Sequence, residues 1–272
     1  MAKYVLAECR PACGASGDLV GLQSGILTAK RVMQRFRGLA LLCILSSSIA
    51  LYAAQARDAF NFDHQFDSGS GIMVSQLTRM QIDNLVTLGK IWGFLKYHHP
   101  RVTSGQMNWD HELFRILPAV LQAQDQASAN SAMLHWINDL GAITPCQPCA
   151  HLDVNDLDLR PDLDWIADEG RLGTDLSKKL HSIWANRVPG QQFYVEKPSN
   201  GPIFRHEEGY AGYKLPDSGL QLLAFYRFWN IVEYWSPNRN ITDENWNRVL
   251  AKFIPKILRP TMQRAISGSC WH

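Results

Sequence analysis

Residues Leu85–Leu121 read LVTLGKIWGFLKYHHPRVTSGQMNWDHELFRILPAVL, and residues Leu222–Leu258 read LLAFYRFWNIVEYWSPNRNITDENWNRVLAKFIPKIL. The second stretch follows the first at a constant offset of 137, without a gap, over 37 positions. Nine positions are identical: Leu85/Leu222, Trp92/Trp229, Tyr97/Tyr234, Pro100/Pro237, Asn108/Asn245, Trp109/Trp246, Leu113/Leu250, Pro118/Pro255 and Leu121/Leu258. Ordinary composition gives roughly two such coincidences. The chain therefore carries an internal repeat.

Each copy reads as a helix, a Pro-containing turn and a second helix. In the first copy Leu85, Leu88, Trp92 and Leu95 recur at three- and four-residue steps and share one helix face. Pro100 and Thr103-Ser104-Gly105 are expected to stop that helix, because Pro has no amide donor and restricts the residue before it. Asn108 is the expected N-cap of the next helix, whose apolar stripe is Trp109, Leu113, Ile116, Leu117, Val120 and Leu121. One hairpin cannot bury both stripes, so the copies are expected to pack on each other or on a shared core. The fold class expected is mainly α, with the hairpin at about 85–121 and 222–258 and a small irregular or β insertion between.

Outward from the repeat, the N-terminal end changes character. From Met33 the chain runs through Arg35 and Arg37, an apolar stretch from Leu39 to about Tyr52, and Ala54-Gln55-Ala56. That is the order of a secretory signal: charged start, short apolar core, small residues at the cut. The expected start is Met33 and the expected cleavage follows Ala56, with residues 1–32 an upstream extension; an uncleaved anchor is the alternative. Leu42 before Cys43 does not suit a lipid-modified cysteine. The 1–56 leader holds six Lys/Arg and two Asp/Glu, leaving 21 basic and 23 acidic residues and a net charge near −2. No nucleic-acid footprint remains, and membrane contact is expected only through the signal segment.

Residues 57–76, polar and Gly/Ser-rich, read as a flexible lead-in. Between the copies, Asp125 is expected to cap a helix bearing Ala129, Met133, Trp136, Ile137 and Leu140, with Gly141 ending it. Thr174 is expected to cap another, with Leu176, Leu180, Ile183 and Trp184 on one face, and Phe193-Tyr194-Val195 is the best strand candidate. Cys146 and Cys149 are expected to form a local disulfide, as an exported chain would. A zinc site would need a second ligand pair where only His151 is near, and a redox site would need the pair at a helix N-terminus. The run from Asp153 fails as a calcium loop, since Leu157 and Asp158 stand where an oxygen ligand and a glycine are needed. No cofactor and no metal is expected.

Among titratable groups, His206, Glu207 and Glu208 read as a charged surface turn. His98, His99 and His111 have Trp235, Ser236 and Arg248 at the repeat-equivalent places, so the repeated fold does not require them. Six of the nine tryptophans sit at helical core spacing or repeated positions. Trp235, whose counterpart is His98, is the candidate exposed aromatic for a peptide or glycan surface.

The strings KIWGFLKYHHP, NWDHELFRILP, RPDLDWIAD and LLAFYRFWNIVEYWSPN…DENWNRVLAKFIPKI together resemble the N-terminal region of exported bacterial tail-specific (C-terminal processing) serine peptidases. The likeness runs from about Leu77 to Leu258 and includes Tyr213 to Gly219. It implies a peptidase-associated helical domain at 77–258, and a catalytic domain further along in which a serine is activated by a lysine. Past Leu258 the chain reads RPTMQRAISGSCWH, an aberrant tail at 259–272 in which Ser267 and Ser269 have no lysine after them. The expectation is a secreted or periplasmic, non-catalytic module cut off before the Ser/Lys domain, inactive alone, with that domain and a peptide or protein substrate as partners. The alternatives are a free-standing peptide- or glycan-binding module and a thiol redox protein centred on Cys146 and Cys149.

Overall fold

The structure, a computed structural model, describes residues 62–147, 149, 160–188, 192–196, 201–207, 209–210 and 216–258. The leader, His151, the Asp run at 153–159, Glu208, Tyr213 and the tail with Ser267 and Ser269 lie outside the described residues. The chain divides into units 1–52 and 53–272, and every described residue belongs to the second.

The described residues form eight helices and one small sheet: α1 Arg79–His98, α2 Pro100–Thr103, α3 Trp109–Gln122, α4 Gln126–Asp139, α5 Glu169–Leu172, α6 Thr174–Ala185, β1 Val195–Glu196, β2 Ile203–Phe204, α7 Ser218–Trp235 and α8 Trp246–Ile257. Single 3₁₀ turns occur at Asp164–Ala167 and Arg239–Ile241. The expected class is therefore observed: mainly α, with a two-stranded antiparallel insertion pairing Val195 with Phe204 and Glu196 with Ile203.

Helix starts follow the capping chemistry of the sequence. Asn108 and Asn245 accept backbone amides at the starts of α3 and α8, and Asp125 closes a capping box on α4. Gly141 takes φ +97 just beyond α4, a conformation that glycine adopts without steric cost. α1 ends at His98, as expected before Pro100, and Pro100 itself opens the short α2, because its fixed φ suits a first helical position. One expectation shifts. Thr174 is the first residue of α6, after the cap residue Gly173, and its hydroxyl donates to Glu169 at 2.8 Å.

The core lies between the two copies of the hairpin. Leu85, Leu88, Ile91, Trp92, Leu95, Trp109, Leu113 and Leu117 from the first, and Leu222, Tyr226, Trp229, Leu250 and Ile254 from the second, are all buried. Within each hairpin the paired tryptophans exchange hydrogen bonds. The Trp92 indole donates to the Trp109 carbonyl and the Trp109 indole to the Trp92 carbonyl, both at 3.0 Å, with rings 6.4 Å apart and 15° from parallel. Trp229 and Trp246 repeat the exchange at 3.0 and 3.2 Å, with rings 6.2 Å apart at 11°. Burying an indole leaves its N–H in need of an acceptor, and a carbonyl in the first turn of the second helix meets that need in both copies.

The stretch expected to be a loose lead-in is tied down over its described part. Asp217, which caps α7, also accepts from the Ser70 hydroxyl at 2.5 Å and the Gly71 amide at 3.0 Å. The Ser218 hydroxyl accepts from the Val74 amide at 2.9 Å, and Ser218 N–H donates to the Ile72 carbonyl at 3.0 Å. Asp63 takes both Nη2 contacts of Arg115 at 2.7 and 2.8 Å. Phe66 packs edge-on against Phe114 at 5.3 Å.

Candidate functional site

Helices α1 and α7 meet at equivalent residues. Gly89 faces the Tyr226 ring, Gly93 faces the Asn230 amide, and the Tyr97 and Tyr234 rings meet edge-on at 5.3 Å. In each pair the second number is the first plus 137, so the helices run parallel about a local two-fold axis. Tyr226 donates its hydroxyl to the Leu85 carbonyl at 2.6 Å, and Asn230 its amide to Gly89 at 3.0 Å.

Two polar clusters flank this axis and are built on equivalent positions. In one, Arg227 from the second copy bonds Asp110 at the start of α3, in the first copy. In the other, Lys90 of the first copy donates to Asn247 at the start of α8, at 3.2 Å. Lys90 is the equivalent of Arg227 and Asp110 that of Asn247, so each hairpin sends a cation into its partner.

The insertion supplies the remaining charges. Glu207, just after β2, pairs with the fully buried Lys96, whose ammonium lies 5.0 Å from the ring centres of both Trp92 and Tyr194. Burial, outweighing the pull of Glu207 and Asp110, holds Lys96 below the usual lysine pKa. Glu207 is thus not the surface turn its sequence neighbours imply. The position equivalent to Lys96 is Glu233, also buried. Glu233 accepts the Asp162 amide at 2.9 Å and pairs with Arg239, which reaches on to the Arg160 carbonyl at 2.6 Å. Burial pushes Glu233 up to about 7 in spite of Arg239. These contacts bind charge to charge inside the fold, which is the arrangement of structural ion pairs. Nothing in the sequence reading singled out Lys90, Lys96, Asp110, Arg227 or Glu233; charged residues breaking an otherwise apolar helix face were the available signal.

The three histidines are not brought together. His98 lies among Phe94, Trp184 and Tyr234 at 5.0, 4.9 and 5.4 Å. His111 meets Asp63 at 3.2 Å. His99 lines a cleft of about 760 Å³ with Arg101, Thr103, Gln106 and Cys146. Its ring is buried, and neither nitrogen has a hydrogen-bond partner among the described residues. Burial, helped by Lys179 and Arg101, lowers its pKa to about 4, so the imidazole is neutral.

Cys146 and Cys149 form the expected local disulfide, with Cα atoms 4.8 Å apart. The pair lies beyond the end of α4, outside the described helices. Trp235 is half-buried, its ring held edge-on by Tyr97 at 5.5 Å and Phe204 at 6.3 Å. Among the described residues the aromatics that stand clear of the surface are instead Phe62, 74% exposed, and Phe228, 56% exposed, the latter beside a groove of about 360 Å³ formed with Phe225, Trp246, Val249, Phe253, Thr242, Asp243 and Glu244.

No protein family, curated protein or solved structure matches the chain.

Proposed function

We propose that this chain is an exported, non-catalytic helical module that works alongside the Ser/Lys catalytic domain of a tail-specific serine peptidase. The observation carrying this reading is where the resembling strings fall. KIWGFLKYHHP lies on α1 and its C-cap, NWDHELFRILP on the start of α3, and the two long strings of the second copy on α7 and α8. RPDLDWIAD contributes Asp162 and the Arg160 carbonyl to the Glu233 cluster. The likeness therefore follows the buried frame of the repeat. It supports a scaffold that presents or orients another domain rather than a reaction centre of its own. A short exposed disulfide suits the oxidising compartment that a signal at 33–56 would deliver the chain to.

The test is turnover of an unstructured reporter peptide by the chain, alone and mixed with a tail-specific peptidase catalytic domain. The reading expects no turnover by the chain alone, and a change in the rate or site of cleavage when the two are mixed. Turnover by the chain alone that disappears in Ser267→Ala or Ser269→Ala would overturn it. Export is tested by sequencing the N-terminus of the protein from the producing cells. Arg57 as first residue is the expected result.

A further inference from the structure

The disulfide joins residues three apart, Cys146 and Cys149, with Cα atoms 4.8 Å apart. A structural staple stabilises by closing a long stretch of chain, and this one closes a very short one. Its two sulfurs also sit differently. Cys149 is exposed, and Cys146 is half-buried against the end of α6. The 760 Å³ cleft reaches Cys146 and Gln147, so a thiol carried on a polypeptide has room to approach the pair.

The end of α6 suits a thiol better than a disulfide. Ala185 is the last residue of that helix, and its carbonyl is one that a helix leaves without an internal donor. Among the described residues, Cys146 Sγ is the atom that meets it, at 3.5 Å, with Asn186 Oδ1 at 3.9 Å from the same sulfur. Asn186 Oδ1 accepts the Cys146 amide at 3.4 Å, which holds the sulfur in that position. A disulfide sulfur has no hydrogen to give. A thiol at the same place donates to the Ala185 carbonyl, so the dithiol gains a hydrogen bond that the oxidised form lacks. The negative end of the α6 dipole keeps that sulfur protonated.

We infer that Cys146 and Cys149 are a thiol–disulfide exchange site, in which the disulfide oxidises thiols and the end of α6 holds the sulfur that leaves. The inference stands independently of the peptidase reading. An incoming thiolate attacks the exposed Cys149 Sγ. The bond between the two cysteines breaks, Cys149 becomes half of a mixed disulfide, and Cys146 leaves as a thiolate. That thiolate takes a proton from water and hydrogen-bonds the Ala185 carbonyl. A second substrate thiolate attacks the substrate sulfur of the mixed disulfide and releases Cys149, which is protonated in turn. In sum, two thiols give up two protons and two electrons to form one disulfide, and the protein disulfide takes them up.

The probe is glutathione, with the full chain. The chain is equilibrated in buffers of rising reduced-to-oxidised glutathione ratio, free thiols are blocked with a maleimide, and the tryptic peptide 116–160 is measured by mass. Its only cysteines are this pair. At a ratio like that of the cytosol the pair is expected to be more than half dithiol, where a structural disulfide stays oxidised. A pair still fully oxidised at that ratio, in a chain that is folded by circular dichroism, would overturn the inference. A second readout follows the transfer itself. The oxidised chain is mixed with a synthetic peptide bearing two reduced cysteines, and the rate at which the peptide disulfide appears is expected to fall about tenfold or more in Cys149→Ser and in Cys146→Ser. A rate unchanged in Cys149→Ser would place the chemistry on another cysteine of the chain, and would also overturn the inference.

Discussion

Gly93 and Asn230 hold the same place in the two copies and touch each other: a Cβ on Gly93 would fall 1.8 Å from the Asn230 side-chain oxygen. Glycine on one helix makes room for the amide on the other, and that amide donates to the Gly89 carbonyl at 3.0 Å and the Tyr226 carbonyl at 2.8 Å. Two identical side chains could not both occupy the axis. The copies have diverged into a small and a large partner at this position, and again at Gly89 and Tyr226.

Removing the partner of a buried charge should cost more than removing both. Glu207→Ala leaves the Lys96 ammonium between Trp92 and Tyr194 without its carboxylate. The expected loss is about 3 kcal/mol by urea unfolding, at the low end for a buried pair because Glu207 keeps some exposure. Lys96→Met combined with Glu207→Gln should recover most of it.

Stability should depend on pH through two buried groups of opposite slope. Glu233 has an ordinary value of 4.5 and is pushed up to about 7 by burial. The folded chain keeps a proton that the unfolded chain releases. This contribution is complete below pH 4.5 and lost as pH rises to about 7. Relative to Glu233→Gln, the parent should therefore lose up to about 3 kcal/mol across that window. His99 is lowered from 6.5 to about 4 by burial, so its contribution is present above pH 6.5 and lost as pH falls toward 4. His99→Gln should flatten the acid side of the melting profile.

The two tryptophan exchanges should not be equally important. Trp109 is fully buried between Trp92 and Trp136, whereas Trp246 is half-buried beside the groove. Replacement by phenylalanine removes one indole N–H bond in each case. The expected cost is about 2–3 kcal/mol at Trp109 and about 1 kcal/mol at Trp246, read from urea midpoints.

The disulfide closes a very short loop, so reduction should cost only roughly 2 kcal/mol on the chain-entropy account. Melting temperatures measured with and without reductant check this. A collapse of the fold on reduction would show that the Cys146 loop braces far more than itself.

The repeat, the helical class and the caps at Asn108 and Asp125 could be read from sequence because they depend on spacing and on residues a turn apart. What could not be read depends on neighbours distant along the chain. Ser70 and Gly71 look like a loose, polar stretch until Asp217 is seen to bond both. Trp235, lacking an aromatic counterpart in the repeat, looks exposed until Tyr97 and Phe204 are placed against it. Glu207 sits in a charged run, and only the approach of α1 takes it to Lys96. The groove was legible in part. Its phenylalanines stand in the second copy's sequence, but the exposure of Phe228 shows only in the fold.

The central claim is that the two hairpins face each other across α1 and α7 at equivalent residues. A double-mutant cycle of Gly93→Ala and Asn230→Gly, with unfolding free energies for all four proteins, tests it most directly. The packing described predicts that Gly93→Ala costs several kcal/mol in the parent, of order 3. It also predicts that most of this cost vanishes when Asn230 is glycine, a coupling above about 1 kcal/mol. Costs that add to within about 0.5 kcal/mol would mean that the two residues do not meet, and would contradict the paired arrangement of the copies.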